Sequence, residues 1–571
     1  MLHLVFGRSG SGKSQFSLEV AKKAADSGQS AVIIVPEQFT FETEREIVRR
    51  FGAKACLNIE VLSFSRLTHR VMSEYGGLAC RYIDDCGRNV LMRLALNQIG
   101  DMLEVYSRQA KSPAFVKTMV EAVAEYKVCG IDEDMIADAA KKAEGALLRH
   151  KLSDIALIMR TYSAMLESKF SDPLDDLTRL AQKLDDCPFF EDKTVVLDGF
   201  KGFTPQERAV IGKIFRNAKD VYVTLCAEGL GTRDGAGLFS PVEKTARQLV
   251  ALANKYGCAV ASPEKLDEIY RFNCESLKYL EASVFRPGAA AFEGPAPEIH
   301  IVSAGNFYEE AKYIACEITR LIRTKGCRYG EIAVISRGLE QYDGIIDPVF
   351  EKYGIPMFYD LRRGIASHPL MALVQSLLSV MSSGFRQEDV LRYLKTGLAG
   401  FTVEEVAALE NYVLMWDIKG EDKWRQEWRY NPSGFEADTG DSGELERLNM
   451  LRNRIYEPIA ALKEKMAGSN KARALYEFLC ETGVREEVNK ACRTLMENGE
   501  ARLADEYGQI WEKLVSMLDQ ITLAAGDQTV ELSEFASMLS LVIENTDLGS
   551  IPPTLDAVTV GDAERIRTGG A

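Results

Sequence analysis

Leu2-His3-Leu4-Val5-Phe6-Gly7-Arg8-Ser9-Gly10-Ser11-Gly12-Lys13-Ser14 begins as a short apolar run and passes straight into a glycine loop. Residues 7–14 fit G-x-x-x-x-G-K-[ST] at every fixed position. Gln15 to Asp26 are rich in helix formers, with apolar Phe16, Leu18, Val20 and Ala21, and Gly28 stands where that helix should stop. Strand, glycine loop and helix in that order separate a phosphate-binding loop from an ordinary turn. The glycines let successive backbone N–H groups face phosphate oxygens. The helix N-terminus adds positive potential at the same point. Gly7, Arg8, Ser9, Gly10, Ser11, Gly12, Lys13 and Ser14 are therefore the expected nucleotide-binding set. Within it Lys13 reaches the β/γ-phosphates of ATP and the Ser14 hydroxyl ligates Mg²⁺.

Moving outward, Ala31-Val32-Ile33-Ile34-Val35-Pro36 is an uninterrupted apolar run, as in a parallel strand covered on both faces. Ile59 to Phe64 again reads as a strand, giving βαβαβ with short connections. From about Thr68 to Asp192 helical periodicity takes over. Sheet signals return at Lys193–Phe200 and Asp220–Leu225. Residues 286–298, rich in Pro, Gly and Ala, read as a linker. A second α/β pattern follows: a strand at Glu298–Ser303, a helix at Glu309–Lys325, a strand at Glu331–Arg337, a helix at 341–353 and a strand at Ile355–Tyr359. Residues 370–545 read as helical with a polar loop at 431–443, and Asp556–Val560 as a last strand. The expected class is α/β with two parallel-sheet lobes, each interrupted by a mostly helical insertion. The first lobe takes 1–67 and 193–285, with insertion 68–192. The second takes 296–369 and 551–571, with insertion 370–550.

Composition bounds the class. A chain of 571 residues exceeds a single core. The formal net charge of −15 argues against a generally basic nucleic-acid coat, although a motor can confine its positive charge to a channel. No apolar run is long enough to span a bilayer and no secretory signal is visible. The twelve cysteines are scattered without a C-x-x-C pair, which reads as reduced thiols in a cytoplasmic protein. His3, His69, His150, His300 and His368 form no metal spacing.

A phosphate-loop ATPase needs an acidic residue ending a second buried strand, to hold Mg²⁺. Asp198, after Val195-Val196-Leu197, is that candidate; the alternative is a turn carboxylate. The next residue is Gly199, where a water-polarising carboxylate would be needed, so nucleotide would be bound and hydrolysed slowly. Gln206 or Glu207 could replace that group from the following loop. Arg337 ends a strand of the second lobe and is a candidate arginine finger or a plain surface arginine. Ser63, Phe64 and Arg66 could stack a base and hold a phosphate, or Phe64 could fill the core. Trp416, Trp424 and Trp428 with Lys423, Arg425 and Arg429 suggest an interleaved basic–aromatic surface, against which aromatic core packing weighs more.

The two interrupted lobes resemble a superfamily 1 helicase of the UvrD/RecB type. Val35-Pro36-Glu37-Gln38, Leu62-Ser63-Phe64, Leu197-Asp198-Gly199-Phe200 with Phe203-Thr204-Pro205-Gln206, Tyr393-Leu394-Lys395-Thr396-Gly397-Leu398 and Glu410-Asn411-Tyr412 resemble the AddB family. That family supplies one of the two subunits of bacterial ATP-dependent helicase/deoxyribonucleases. The resemblance implies RecA-like lobes and ATP with Mg²⁺. It also implies an AddA-like helicase-nuclease subunit as heterodimer partner, and DNA that is single-stranded and at duplex ends. The implied setting is double-strand break repair by homologous recombination, with degenerate motor lobes. The family carries a C-terminal nuclease domain with an iron–sulfur cluster on four cysteines. This chain stops at Val558 to Arg567, where the second lobe would continue, so a fragment without that domain and its cysteines is expected. An active DNA-stimulated ATPase motor is the alternative. A small-molecule kinase is disfavoured by the second lobe.

Overall fold

β1 (Leu2–Gly7), β2 (Ala31–Ile34), β3 (Ile59–Leu62), β4 (Thr194–Leu197), β5 (Asp220–Leu225) and β6 (Glu264–Leu266) form one sheet in the order β3-β2-β4-β5-β1-β6. Every pairing in it is parallel. The computed structural model describes residues 1–52, 57–77, 81–167, 170–231, 237–359, 363–434, 442–467, 470–526, 530–548 and 556–563. The six strands belong to the first of two compact units, which comprises Met1–Tyr82, Glu121–Arg160 and Leu166–Val302.

The apolar runs are continuous because both sheet faces are covered. Leu2, Leu4, Phe6, Val32, Ile34, Val195, Leu197, Val221 and Val223 join one core with Val210, Ile211 and Ile214 of the helix Pro205–Asn217. Ala31, Ile33, Ile59, Val61 and Val196 join a second core, with Leu18, Ala21 and Ala24 of α1 (Lys13–Asp26) and Ile47 of α2 (Thr40–Phe51). Each such side chain contributes roughly 1.5–3 kcal/mol on full burial. The chain leaves β1 toward β2 and β3, then returns through β4 and β5 and crosses to β6 on the far side of β1. The carboxyl end of β1 is therefore a topological switch point, where a crevice opens in parallel sheets.

The second unit comprises Ile83–Val120, Thr161–Met165 and Ser303–Ala571. Its sheet has the order β7-β11-β8, from β7 (Ala333–Ser336), β8 (Met357–Tyr359) and β11 (Val558–Asp562), all parallel. Between them in sequence, β9 (Arg363–Gly364) and β10 (Asp547–Leu548) make a short antiparallel pair absent from the sequence reading. Ala311, Ala315 and Ile318 of the helix Phe307–Lys325 pack with Val349, Phe350, Val558 and Val560.

Glu298–Ser303, expected as a strand, is not one. It begins in a turn, where the Ile299 N–H donates to the Ala296 carbonyl, and runs on as irregular chain outside any sheet, with Ile301 95% exposed. Its alternation satisfies the strand pattern, but no described neighbour offers it a ladder. The helical stretch 68–192 is divided between the units. Asp85–Ile99, in the second unit, packs against the helices Ala501–Ala525 and Leu532–Glu544. There the Asn97 amide donates to Glu534. Residues 435–441 of the expected polar loop, and 551–555 and 564–571 of the second lobe, lie outside the described residues. No described helix is long and apolar enough to cross a membrane.

Candidate functional site

Gly7 ends β1 and the loop 8–12 turns into α1 with Gly10 and Gly12 in the left-handed region, at φ +80° and +82°. Only glycine adopts that conformation without strain. A Cβ at Gly7 would collide with the Ser11 hydroxyl, and one at Gly10 with the Arg271 side chain. The loop is a tight cradle that side chains would fill. No side chain caps the N-terminus of α1, and its first turn holds no acid, so its positive end is left for an anion. The Lys13 ammonium donates to the Gly7 and Arg8 carbonyls at 2.8 and 2.7 Å, folded back over the loop it serves. Ser11 Oγ is buried with no hydrogen-bond partner, an orphan that a phosphate oxygen would satisfy. These features fit a nucleoside phosphate.

Asp198 follows β4 and is buried, and its backbone N–H donates to Ile34. One strand separates it from β1. Val5 is in register with Thr224, and Leu197 with Val223, so Asp198 stands level with Thr224 at the same sheet edge as the loop. Two strand spacings, roughly 10 Å, divide the β1 and β4 backbones. Thr224, which the sequence reading passed over, donates its hydroxyl to the Asp198 carboxylate and fixes its rotamer. Its signal was a polar residue near the carboxyl end of a strand that is apolar or aromatic from Val221 to Val223. Ser14, in the first turn of α1, and Asp198 are the residues that would hold Mg²⁺.

The Arg8 side chain has partners of its own, and two expectations, Gln206 and Glu207, change. The Arg8 guanidinium does not face the cradle. Its Nε donates to both Glu281 oxygens at 3.0 Å, Nη1 to Glu228 at 2.6 Å and Nη2 to the Glu281 carbonyl at 2.6 Å. Burial alone would lower its pKa, but the two carboxylates more than offset that and raise it. Arg8 serves the loop through its backbone. Gln206 is buried and donates to the Leu174 carbonyl and to Thr178. Glu207 completes a capping box with Thr204 at the start of Pro205–Asn217. Burial raises its pKa against the lowering effect of those bonds. Both candidate replacements for the missing carboxylate are thus committed to the scaffold. Gly199 itself sits at φ +83°.

Phe64 is only 7% exposed, and its ring packs edge-on to Phe200 and Phe203, so it fills the core rather than offering a face to a base. Ser63 caps α3 (Phe64–Tyr75) by accepting the Arg66 N–H, and the Arg66 side chain pairs with Glu44. Trp424 and Trp428 are buried, as the packing reading held, with Trp428 stacked on Tyr412. Trp416 stacks on Tyr430. Arg337 is exposed just after β7, in the second unit. Among the described residues no three His, Cys, Asp or Glu side chains form a metal-holding group, and the ten described cysteines are free, so nothing described fits an iron–sulfur cluster.

Two further residues reach the cradle. The Tyr270 N–H donates to the Gly10 carbonyl at 2.9 Å, its ring stands beside Gly12, and the residue is 67% exposed. Arg271 Nη1 reaches Ser9 Oγ at 3.5 Å. An open aromatic face and a cation thus flank the phosphate loop. They follow β6, a strand with a single apolar residue, and so gave no periodic signal.

A family model described as ADDB, N-terminal, matches residues 4–281. Proteins named as the B component of an ATP-dependent helicase/deoxyribonuclease align along 99% of the chain. Those from Clostridium novyi, Acetivibrio thermocellus and Ruminiclostridium cellulolyticum are each 33% identical to it. The chain spans about half the length of these relatives, 50–51%.

Proposed function

We infer that the chain belongs to the AddB family of ATP-dependent helicase/deoxyribonuclease subunits, and from that premise we propose that it binds ATP with Mg²⁺ at the β1 loop as part of a DNA-processing helicase-nuclease. The observation that carries this is the glycine cradle with Lys13, facing the same sheet edge as the Thr224-fixed Asp198. The name of the relatives supports a partner subunit and DNA as the substrate, and double-strand break repair is the setting we propose for the chain. An AddA-like subunit would complete the heterodimer, and single-stranded DNA and duplex ends would be the ligands. The first unit would then be a RecA-like lobe, with the sheet of the second unit as its counterpart.

Bound Mg·ATP would supply an electrophilic γ-phosphorus already polarised by the metal. Lys13 would leave its two carbonyls for the β/γ-phosphates, and Ser11 Oγ would gain its partner. Tyr270 offers a ring face to the base and Arg271 a cation to the phosphates. Asp198 and Ser14 would hold the metal. Among the described residues the site shows no group placed to activate water: Gly199 has no side chain, and Gln206 and Glu207 are bonded elsewhere. This supports tight binding with slow turnover, a degenerate motor that handles DNA while its partner drives translocation.

Direct ATP binding and ATP hydrolysis, each with and without single-stranded DNA, test the reading. Binding without DNA-stimulated turnover is expected. Robust DNA-stimulated turnover would make the chain an active motor, and absence of binding would remove the nucleotide role.

A further inference from the structure

Arg8 is tied to the helix Glu275–Ser283 by three hydrogen bonds to Glu281, two to its carboxylate and one to its carbonyl. The same helix is tied on its other side to the segment that follows it. The Ser276 hydroxyl donates to Glu298 at 2.9 Å, the Tyr279 hydroxyl donates to the Ala290 carbonyl, and the Tyr279 ring meets Phe292 at 5.3 Å. Just upstream, Tyr270 is bonded to Gly10. One rigid element thus stands between the phosphate loop and residues 284–302, bonded to both.

We infer that Arg8 is a positioning residue that transmits phosphate occupancy of the loop, through Glu281 and the helix Glu275–Ser283, to the connector 284–302 leading in sequence to the second unit. The inference rests on the nucleotide reading above. Its physical basis is local. Lys13 is held by the Gly7 and Arg8 carbonyls, so a phosphate that draws Lys13 away must reset the Gly7–Arg8 peptides. The Arg8 guanidinium holds Glu281 at two points, Nε shared between both carboxylate oxygens and Nη2 on the backbone carbonyl, so it grips the helix backbone as well as a side chain and conveys displacement better than a single flexible contact. Glu228 and the Phe239 ring, 5.3 Å from the guanidinium, keep the fork oriented.

The test is hydrogen exchange across residues 275–302 of the whole chain, with and without saturating Mg·ATP, alongside ATP affinity by calorimetry. The wild-type chain is expected to bind ATP and to change its exchange at both 275–283 and 286–300. Glu281→Gln should keep ATP affinity and lose both changes. Tyr279→Phe, which removes one exposed hydroxyl and is safe for folding, should keep affinity and the change at 275–283 but lose much of the change at 286–300. The inference is overturned if wild type binds ATP with no response in the connector. It is equally overturned if both variants respond as wild type does, or if Glu281→Gln loses affinity together with the response, which would make the clamp a loop-shaping device only. A wild-type chain that fails to bind ATP overturns the nucleotide reading as well, and the calorimetric arm tells the two failures apart.

Discussion

Gly199 lies directly after the metal-binding candidate Asp198 with φ +83°, a conformation that costs a residue with a Cβ about 1–2 kcal/mol. Gly199→Ala is therefore expected to lower stability by about 1 kcal/mol in chemical denaturation, although no core contact is lost. Gly199→Glu tests the missing carboxylate directly. If that group is all the site lacks, turnover rises despite the strained backbone; an unchanged rate in a folded variant would reject that account. Lys13→Ala removes one charge-assisted phosphate contact, worth about 1.5–3 kcal/mol, so ATP affinity measured by calorimetry should fall at least about tenfold. Its melting temperature without nucleotide should stay near wild type. The residues of the loop were legible in the sequence because their chemistry is contiguous. Thr224, Tyr270 and Arg271 were not, because only the register of β5 and the path after β6 bring them to the loop. The partners of the Arg8 side chain were not legible for a related reason: its glutamates lie more than two hundred positions away.

Among the elements, the helix Pro369–Ser383 is capped by His368, whose Nδ1 accepts the Leu370 N–H at 3.2 Å. Its Nε2 is buried without a partner, and the ring packs against Tyr507 with centroids 4.4 Å apart. Burial pushes the imidazole pKa down to about 4. The folded state thus holds the neutral ring while the unfolded chain takes up a proton below about pH 6.5. The stabilising contribution is complete above pH 6.5 and is lost as the pH falls toward 4, by on the order of 2 kcal/mol. Protonation also turns Nδ1 from acceptor to donor and breaks the cap. His368→Asn, which can still cap, should flatten the acid limb of a stability–pH curve between pH 6.5 and 4; an unchanged slope would place the acid sensitivity elsewhere. Strong elements were readable: β5 was read to the residue. The strand read as Ile59–Phe64 instead stops at Leu62, because the Ser63 hydroxyl caps α3, which begins at Phe64. Glu298–Ser303 was misread because alternation describes a strand's two faces but supplies no partner. β9 and β10, two residues each, are fixed only by each other.

At the scale of the whole molecule the chain forms two units with separate cores, so two unfolding transitions are expected by calorimetry. Mg·ATP at about 100 times its dissociation constant should stabilise the transition of the first unit by about 2.7 kcal/mol, while mild acid should shift that of the second, where His368 lies. A nucleotide shift in both, or in neither, would contradict the assignment of the site to one unit. The two α/β patterns could be seen in the sequence. The recruitment of Ile83–Val120 into the second unit could not, because it depends on which helices Asp85–Ile99 meets and not on its own pattern. The placement of β11 has a consequence for biosynthesis. It is the middle strand of its sheet, yet it leaves the ribosome roughly 200 residues after β8, or about 10–40 s later at usual elongation rates. Until then β7 and β8 have no pairing partner among the described strands, so during translation the nascent second unit carries two waiting strand edges that a chaperone, or another nascent chain, can reach first.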